Sequence, residues 1–152
     1  RTGGLMHDIG KINIDESILA KPGPLTDTER LEVQRHAETG YRILSSVSGF
    51  ANIAEHVLAH HERWDGQGYP KGLKGEEIPL EARIIAIAEA YDAMTAEMPF
   101  RRALSKKEAV REIRQNAGTQ FDPEVARVFI TKVLEVENGA TDPTPSEPSF
   151  AY

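Results

Sequence analysis

Apolar residues recur at helical spacing along most of the chain, separated by residues that typically begin or end helices. Thr26-x-x-Glu29 and Ser105-x-x-Glu108 are capping boxes, and Asp122-Pro123 supplies an N-cap followed by a first-turn proline. No convincing alternating strand pattern and no internal repeat occur in the sequence. The predicted fold class is therefore all-α, with helices over residues 30–35, 39–47, 52–63, 80–96, 105–116 and 123–136.

Two segments lack this helical pattern. Residues 64–79 are rich in glycine and proline, which predicts a structured loop. After Glu137, prolines stand among Thr, Ser and Asp residues, a composition typical of disordered segments. We therefore expect one helical domain over residues 1–136 and a disordered tail over residues 137–152.

The composition narrows the classes of function. The 152 residues suit a single domain, and 18 basic against 24 acidic residues give a net charge of −6, which argues against DNA binding through a broad basic surface. No apolar run is long enough to span a bilayer, so we expect no membrane span in this chain and a cytoplasmic protein. Because the sequence contains no cysteine, any metal would have to be held by His, Asp and Glu.

Two adjacent histidines, His60 and His61, lie at the end of the predicted helix 52–63. On a helical wheel, His61 falls near the middle of the apolar arc and His60 at its edge, whereas His56 faces outward with the polar residues. Inward-facing histidines are either hydrogen-bonded core residues or metal ligands. The wheel alone leaves both interpretations open.

Asp92 is a more specific signal, because it lies in the middle of the apolar segment 80–96, which we expect to be buried on most faces. A buried carboxylate needs a cation or hydrogen-bond donors. The partner is either one of the arginines or a metal ion.

Three further residues extend this set. His7 and Asp8 form an adjacent pair whose carboxylate could bridge two metals, and Lys11 is close enough to face a bound phosphate. His36 by itself would be interpreted as a solvated helix-face residue. Six residues exceed the needs of one catalytic metal, so a two-metal site for phosphoryl chemistry is the economical hypothesis. The predicted metal ligands are His7, Asp8, His36, His60, His61 and Asp92.

The order of these motifs strongly resembles the HD-GYP family, the cyclic-di-GMP phosphodiesterases of the HD hydrolase superfamily. The resemblance covers about residues 3–135 and is most specific at His60-His-Glu-Arg-Trp-Asp-Gly-Gln-Gly-Tyr-Pro70. It also includes the following segments: His7-Asp-Ile-Gly-Lys11, Lys21-Pro-Gly-Pro-Leu-Thr26, Gly72 to Arg83, Tyr91-Asp-Ala-Met-Thr95 and Ala117 to Pro123.

The resemblance implies a bacterial signalling enzyme with two or three divalent metal ions, Fe or Mn above all, that linearises cyclic-di-GMP to pGpG and in some members continues to GMP. Asp8, as the bridging ligand, and Lys11, near the scissile phosphate, would be the catalytic residues. The implied substrate-binding residues are Lys11, Gly68, Tyr69, Pro70, Arg101 and Arg102. The GYP loop is further implied to dock GGDEF-type or other signalling proteins, and an upstream receiver or sensory domain is common, as in two-component systems.

The sequence departs from the family pattern in two respects. Met98 and Phe100 replace the usual arginine and tyrosine, which removes a positive charge and a hydroxyl group. The chain also reaches the expected catalytic motif by residue 7, whereas domains of the family begin well upstream of this motif. We therefore expect the chain to be the C-terminal portion of the domain, with an incomplete metal site and an exposed apolar face.

Three alternatives remain open at the sequence level. A degenerate HD-GYP module would bind partners or nucleotide without turnover. Another HD-superfamily phosphohydrolase would have no evident need for the Gly66–Pro70 loop. A purely structural helical fragment would keep its histidines in the core.

Overall fold

The computed structural model describes residues 2–97 and 102–134, and these residues form helices joined by short turns. Within those two ranges there is no strand, which confirms the all-α prediction. Met98, Phe100, Arg101 and the predicted tail lie outside the described residues. The helices are Thr2–Met6 (α1), Glu16–Leu19 (α2), Asp27–Gln34 (α3), His36–Ser45 (α4), Ala51–Ala59 (α5), Leu80–Thr95 (α6), Lys106–Gln115 (α7) and Pro123–Val128 (α8).

Three shorter turns complete the chain path. A 3-10 turn follows α1 at Ile9–Asn13, and another lies at Gly75–Glu77 within the predicted loop. A π-helical turn, Phe129–Leu134, continues α8. The predicted last helix therefore exists, but its second half winds more loosely than an α-helix.

The predicted caps form as expected. The Thr26 hydroxyl accepts a hydrogen bond from the Glu29 amide, and the Glu29 carboxylate accepts one from the Thr26 amide. Ser105 and Glu108 repeat this arrangement at α7, and Asp122 caps α8. These reciprocal bonds satisfy amides that have no partner within the helix.

The helix carrying the histidine pair ends earlier than predicted, at Ala59. The His60 ring Nδ1 bonds the Val57 carbonyl at 2.5 Å, which is the carbonyl that residue 61 would need to continue the helix. The Glu62 amide instead donates to the Ala59 carbonyl. His60 and His61 therefore lie in the turn after α5, and the prediction that they are helical is wrong.

Two apolar clusters hold the two halves of the fold. In the first, α4 packs on α5 through Leu44, Ala54 and Val57. The second joins α6, α7 and α8 through the following residues: Ile87, Ile113, Phe121, Ala126 and Ile130. A smaller cluster of Ala59, Ile78 and Ala82 lies beneath the 60–79 loop. The loop is thereby fixed against both α5 and α6.

α6 is less enclosed than its sequence predicts. Ala82 and Ile87 are fully buried, but Ile84 is 47% exposed and Asp92 is exposed. The reason is that α6 packs on the other described helices along one face, while Ile84 and Asp92 lie away from that face. The prediction that α6 is buried on most faces is wrong. No helix among the described residues is long and apolar enough to cross a membrane.

Candidate metal centre

Three imidazole rings from α4 and the turn after α5 converge at the centre of the site. His36 Nε2 lies 3.3 Å from His60 Nε2 and 3.2 Å from His61 Nε2. His36 and His60 are each 1% exposed. Three ring nitrogens thus point at a common position in a buried environment.

The other ring nitrogens show which protonation state the rings hold. His36 Nδ1 bonds the Val33 carbonyl at 2.6 Å, just as His60 Nδ1 bonds Val57. Since a carbonyl only accepts, each Nδ1 carries the proton and each Nε2 presents a lone pair. Two lone pairs 3.3 Å apart cannot hydrogen-bond, whereas a cation between them would be bound by both.

Burial keeps these rings neutral. It lowers the pKa of His36, lowers that of His60 to about 4 and, with the neighbouring imidazoles, lowers that of His61 to about 2. Neutral imidazole with one nitrogen bonded to a carbonyl is the form that coordinates metal ions. The donor set therefore fits a divalent metal.

Asp8 connects these histidines to a second group of ligands. Its Oδ1 lies 3.7 Å from His36 Nε2, while its Oδ2 lies 3.6 Å from His7 Nε2 and accepts a hydrogen bond from Lys11 Nζ at 2.7 Å. Oδ1 is buried and has no hydrogen-bond partner among the described residues. Burial alone would raise the pKa of Asp8, but the hydrogen bond and charge of Lys11, together with His7 and His36, outweigh burial and lower the pKa. A carboxylate with one oxygen near His36 and the other near His7 could bridge two metal ions.

Glu89 completes the second group, and sequence reasoning missed it. Its carboxylate lies within 4.8 Å of ligand atoms of His7 and Asp8. Burial raises the pKa of Glu89, and the attraction of His7 and Lys11 only partly offsets this effect. The sequence offers the same signal for Glu89 as for Asp92, since both lie in the same apolar helix one turn apart, so sequence alone does not distinguish them.

Asp92, by contrast, is not part of either ligand group. It lines a cavity of about 590 Å³ together with His7, Asp8 and Glu89, but its side chain is exposed. The structure thus brings together five of the six predicted ligands, and Glu89 lies with them as a further residue that could hold a metal ion. Because Asp92 is exposed, its carboxylate does not need a cation to offset burial.

The GYP loop closes one side of the centre. The Tyr69 ring stacks on His61 with centroids 4.8 Å apart, and the Tyr69–Pro70 peptide bond is cis. Gly68 approaches the backbone of residues 61–63 so closely that a Cβ would lie 2.3 Å from the Arg63 nitrogen. Pro70 and Tyr69 also line a shallow surface depression formed with α3 and α4.

The predicted basic residues differ in their positions. Lys11 lies at the centre through its bond to Asp8. Arg102 is exposed near Glu108, whose pKa it helps to lower after the capping bonds from Ser105. Arg101 lies outside the described residues. Of the two predicted basic residues that the structure describes, Lys11 alone lies beside the predicted ligands.

His56 lies away from the centre, as predicted, but it is not a free surface residue. Its side chain is 20% exposed, and Nε2 lies 3.4 Å from Glu81 Oε2 at the start of α6. This residue provides a natural comparison for variants of the clustered histidines.

Comparison with known proteins assigns the family. Residues 1–125 match the HD domain family model. The chain is 45% identical over 139 residues to a cyclic di-GMP phosphodiesterase of Thermotoga maritima, and 45% identical over 134 residues to the cyclic di-GMP phosphodiesterase response regulator RpfG of Xanthomonas campestris. These matches cover 90% and 87% of this chain but 37% and 35% of the relatives, so the chain spans little more than a third of their length.

A further relative and a solved structure come from Vibrio cholerae. The chain is 44% identical over 124 residues to a 3′3′-cGAMP-specific phosphodiesterase, covering 82% of this chain and 27% of that protein. The crystal structure of a cyclic GMP-AMP-specific phosphodiesterase superposes with a TM-score of 0.60 at 23% identity, over 90% of this chain and 39% of that one. The chain belongs to the HD domain family and, through the motif from His60 to Pro70 and its relatives, to the HD-GYP group within it.

Proposed function

We propose that the protein is a metal-dependent phosphodiesterase that hydrolyses cyclic-di-GMP to linear pGpG, with GMP as a further product where cleavage continues. The observation that carries this proposal is the convergence of the Nε2 atoms of His36, His60 and His61 on one point. The Asp8 carboxylate lies beside this point, with Oδ1 toward His36 and Oδ2 toward His7. The names of the relatives support a cyclic dinucleotide as the substrate class.

The ligand roles follow from the two groups described above. His36, His60 and His61 would hold one cation, while His7, Asp8 and Glu89 would hold a second, with Asp8 shared between them. Iron or manganese suits this set of imidazole and carboxylate donors. Two bound cations supply an activated water and offset negative charge on the phosphoryl oxygens.

Lys11 is the residue best placed to contact the substrate phosphate. Its ammonium donates one hydrogen bond to Asp8, which leaves two further N–H donors for a phosphoryl oxygen. Its charge would oppose the build-up of negative charge on that oxygen during attack. It would also help an anionic substrate to approach a protein whose net charge is −6.

The cavity beside the second ligand group offers room for the nucleotide. It measures about 590 Å³ and combines apolar side chains of α6 with the carboxylates of Glu89 and Asp92. We propose that Asp92 faces the substrate across this cavity and that Tyr69 borders the metals from the GYP loop. Arg101 and Arg102 remain proposed contacts to the phosphates or guanine.

The experiment that tests this proposal is cyclic-di-GMP turnover by the chain loaded anaerobically with Fe²⁺ or Mn²⁺. Products are separated by chromatography, and 3′3′-cGAMP serves as the comparison substrate. We expect linear pGpG from the wild type, and at least about a hundredfold slower turnover for His60→Asn, which removes one of the converging lone pairs. His56→Asn, outside the centre, is the matched control and should retain wild-type turnover.

A different result would favour a binding module without turnover. In that case, the metal-loaded chain would bind the dinucleotide in equilibrium dialysis and leave it intact. Circular dichroism of each variant establishes that the loss of turnover in His60→Asn does not come from unfolding.

A further inference from the structure

Glu62 is a buried residue whose carboxylate has no role in the proposed chemistry. It follows His60 and His61 directly in the chain and is 4% exposed. A carboxylate this deeply buried requires strong hydrogen-bond donors, because desolvation of the charge is costly. Its surroundings therefore show what it stabilises.

Three backbone amides, those of residues 71–73, donate to Glu62, and they directly follow the GYP loop (Gly68-Tyr69-Pro70) in the chain. Oε1 accepts from Lys71 N at 2.7 Å and from Gly72 N at 3.1 Å, and Oε2 accepts from Leu73 N at 3.0 Å. These bonds span nine to eleven residues along the chain. Glu62 thus ties residues 71–73 to the segment that begins the loop.

Residues 68 and 69 are also held against residues 61–63. Tyr69 N donates to the His61 carbonyl at 3.3 Å. At Gly68, a Cβ would lie 2.5 Å from the Glu62 Cα, so only glycine permits this approach. Residues 68–73 therefore wrap around residues 61–63, with the Glu62 carboxylate at the centre of the wrap.

One side chain of this wrapped loop reaches the metal centre. The Tyr69 ring packs on His61 at 4.8 Å with an interplanar angle of 24°, and His61 Nε2 points at His36 Nε2. Burial, together with the nearby Glu89 and Asp8 carboxylates, raises the pKa of Tyr69 above its ordinary value. The position of Tyr69 and the orientation of His61 are therefore linked.

We propose that Glu62 is a positioning residue: by binding the amides of residues 71–73 it keeps Tyr69 stacked on His61, and the stacked ring keeps His61 Nε2 aimed at the metal position. This inference rests on the proposed function only insofar as the histidine cluster binds metal. A purely structural Glu62 would instead support the fold without influencing the centre.

The test compares Glu62→Gln with Glu77→Gln. Glutamine keeps the size of the side chain but replaces one acceptor oxygen with an amide that cannot accept, so at least one of the three bonds is lost. Glu77 lies in the same 60–79 loop and accepts a backbone bond from Lys74 N at 2.9 Å, a bond confined to the turn 74–77. It is therefore a matched control for loss of a loop carboxylate.

Three measurements on the full chain follow the loop amides, the Tyr69–His61 stack and the metal centre. Hydrogen exchange followed by NMR reports on the amides of residues 71–73, and nuclear Overhauser contacts report on the Tyr69–His61 stack. Titration with Co²⁺, followed by its visible absorption, reports on the centre. For Glu62→Gln we expect at least tenfold faster exchange, loss of the stacking contacts and a Co²⁺ dissociation constant about tenfold higher. Glu77→Gln should change neither the stack nor the Co²⁺ affinity.

A double-mutant cycle with Tyr69→Ala tests whether Glu62 influences Co²⁺ binding through Tyr69. If Glu62 acts through Tyr69, the double variant should bind Co²⁺ no more weakly than the weaker of the two single variants. Additive losses would overturn the proposal, as would a Glu62→Gln variant with fast exchange but unchanged stack and unchanged Co²⁺ affinity.

Two further outcomes remain interpretable. Should Glu62→Gln fail to fold, Glu62→Asp keeps the charge on a shorter side chain and should show the same changes to a smaller degree; an intact stack in that variant with faster exchange would overturn the proposal. Should the wild type bind no Co²⁺, the proposed function fails, and the stacking contacts still decide whether Glu62 positions Tyr69.

Discussion

At the residue scale, the chemistry of the centre depends on which ring nitrogen of each histidine carries the proton. His7, His36 and His60 each direct Nδ1 at a backbone carbonyl three residues earlier in the chain. This arrangement leaves Nε2 free to coordinate and fixes the ring orientation before any metal arrives. It also leaves the unprotonated Nε2 atoms of His36 and His60 3.3 Å apart.

The buried rings make the stability of the metal-free chain depend on pH. The folded-state pKa values of His60 (about 4) and His61 (about 2) lie below the ordinary 6.5, so the unfolded chain binds more protons between pH 6.5 and 4. Lowering the pH through this window therefore favours unfolding. We expect the free energy of unfolding to fall by about 1.4 kcal/mol per pH unit for each histidine protonated only on unfolding.

Urea unfolding in the presence of a chelator, measured between pH 7 and pH 5, checks this expectation. His61→Asn removes one such histidine and should reduce the slope by about one proton. An equal slope for the wild type and His61→Asn would contradict the assignment of a neutral, half-buried His61.

The two carboxylates of α6 provide a second prediction at this scale. Glu89→Gln should lower the amount of Mn²⁺ retained after gel filtration from about two ions per chain to about one, because Glu89 belongs to a ligand group. Asp92→Asn, one turn away and exposed, should retain both ions. Metal analysis by mass spectrometry measures the difference, and the reverse result would restore Asp92 as the ligand.

The sequence predicted most of this centre because its residues come in recognisable pairs. His7-Asp8 and His60-His61 stand out as adjacent ligand types, and the family motif brings in His36. Glu89 was missed because neither spacing nor motif separates two acidic residues one turn apart on the same helix. Only the packing of α6, which turns Glu89 toward His7 and leaves Asp92 exposed, distinguishes them.

At the element scale, the 3-10 turn Ile9–Asn13 determines how Asp8 meets the histidines. The turn packs on α4 so closely that a Cβ on Gly10 would lie 1.9 Å from the His36 carbonyl oxygen and 2.6 Å from the Gly40 nitrogen. Any side chain there must push the turn away from α4. Asp8 would then move away from His36 as well.

Gly10→Ala should therefore lower both stability and metal affinity. Overpacking of this kind typically costs about 1–3 kcal/mol in the free energy of unfolding, which urea titration measures. Gly4→Ala in α1 is the control, since nothing lies within 4 Å of its added Cβ, and it should be neutral or stabilising by up to about 1 kcal/mol. A wild-type stability for Gly10→Ala would show that the contact is loose.

Helix starts were predicted better than helix ends. The N-cap side chains accept hydrogen bonds from amides two or three residues later, so the sequence itself shows where these helices begin. The N-caps are Thr26, Ser105 and Asp122. The end of α5 instead depends on the His60 ring competing for the Val57 carbonyl. The spacing of apolar residues does not show this competition for the carbonyl. The predicted helix therefore continued four residues too far, to residue 63 instead of Ala59.

At the scale of the whole molecule, the centre joins parts of the chain that have separate apolar clusters. His36, His60 and His61 belong to the half built on α4 and α5, whereas Glu89 belongs to α6 in the half built with α7 and α8. Bound metal would therefore connect the two halves. Ligands that bind only the folded state stabilise it, so metal should raise the unfolding temperature as well as support turnover.

We propose that hydrolysis of the phosphodiester depends on metal bound at this centre. The decisive experiment adds Mn²⁺ or Fe²⁺ stepwise, without oxygen, to a metal-stripped sample of the chain and measures cyclic-di-GMP hydrolysis at each step. We expect no hydrolysis without metal and a rate that rises until about two ions are bound per chain. Hydrolysis that persists in the metal-free chain, or no hydrolysis with two ions bound, would contradict the claim.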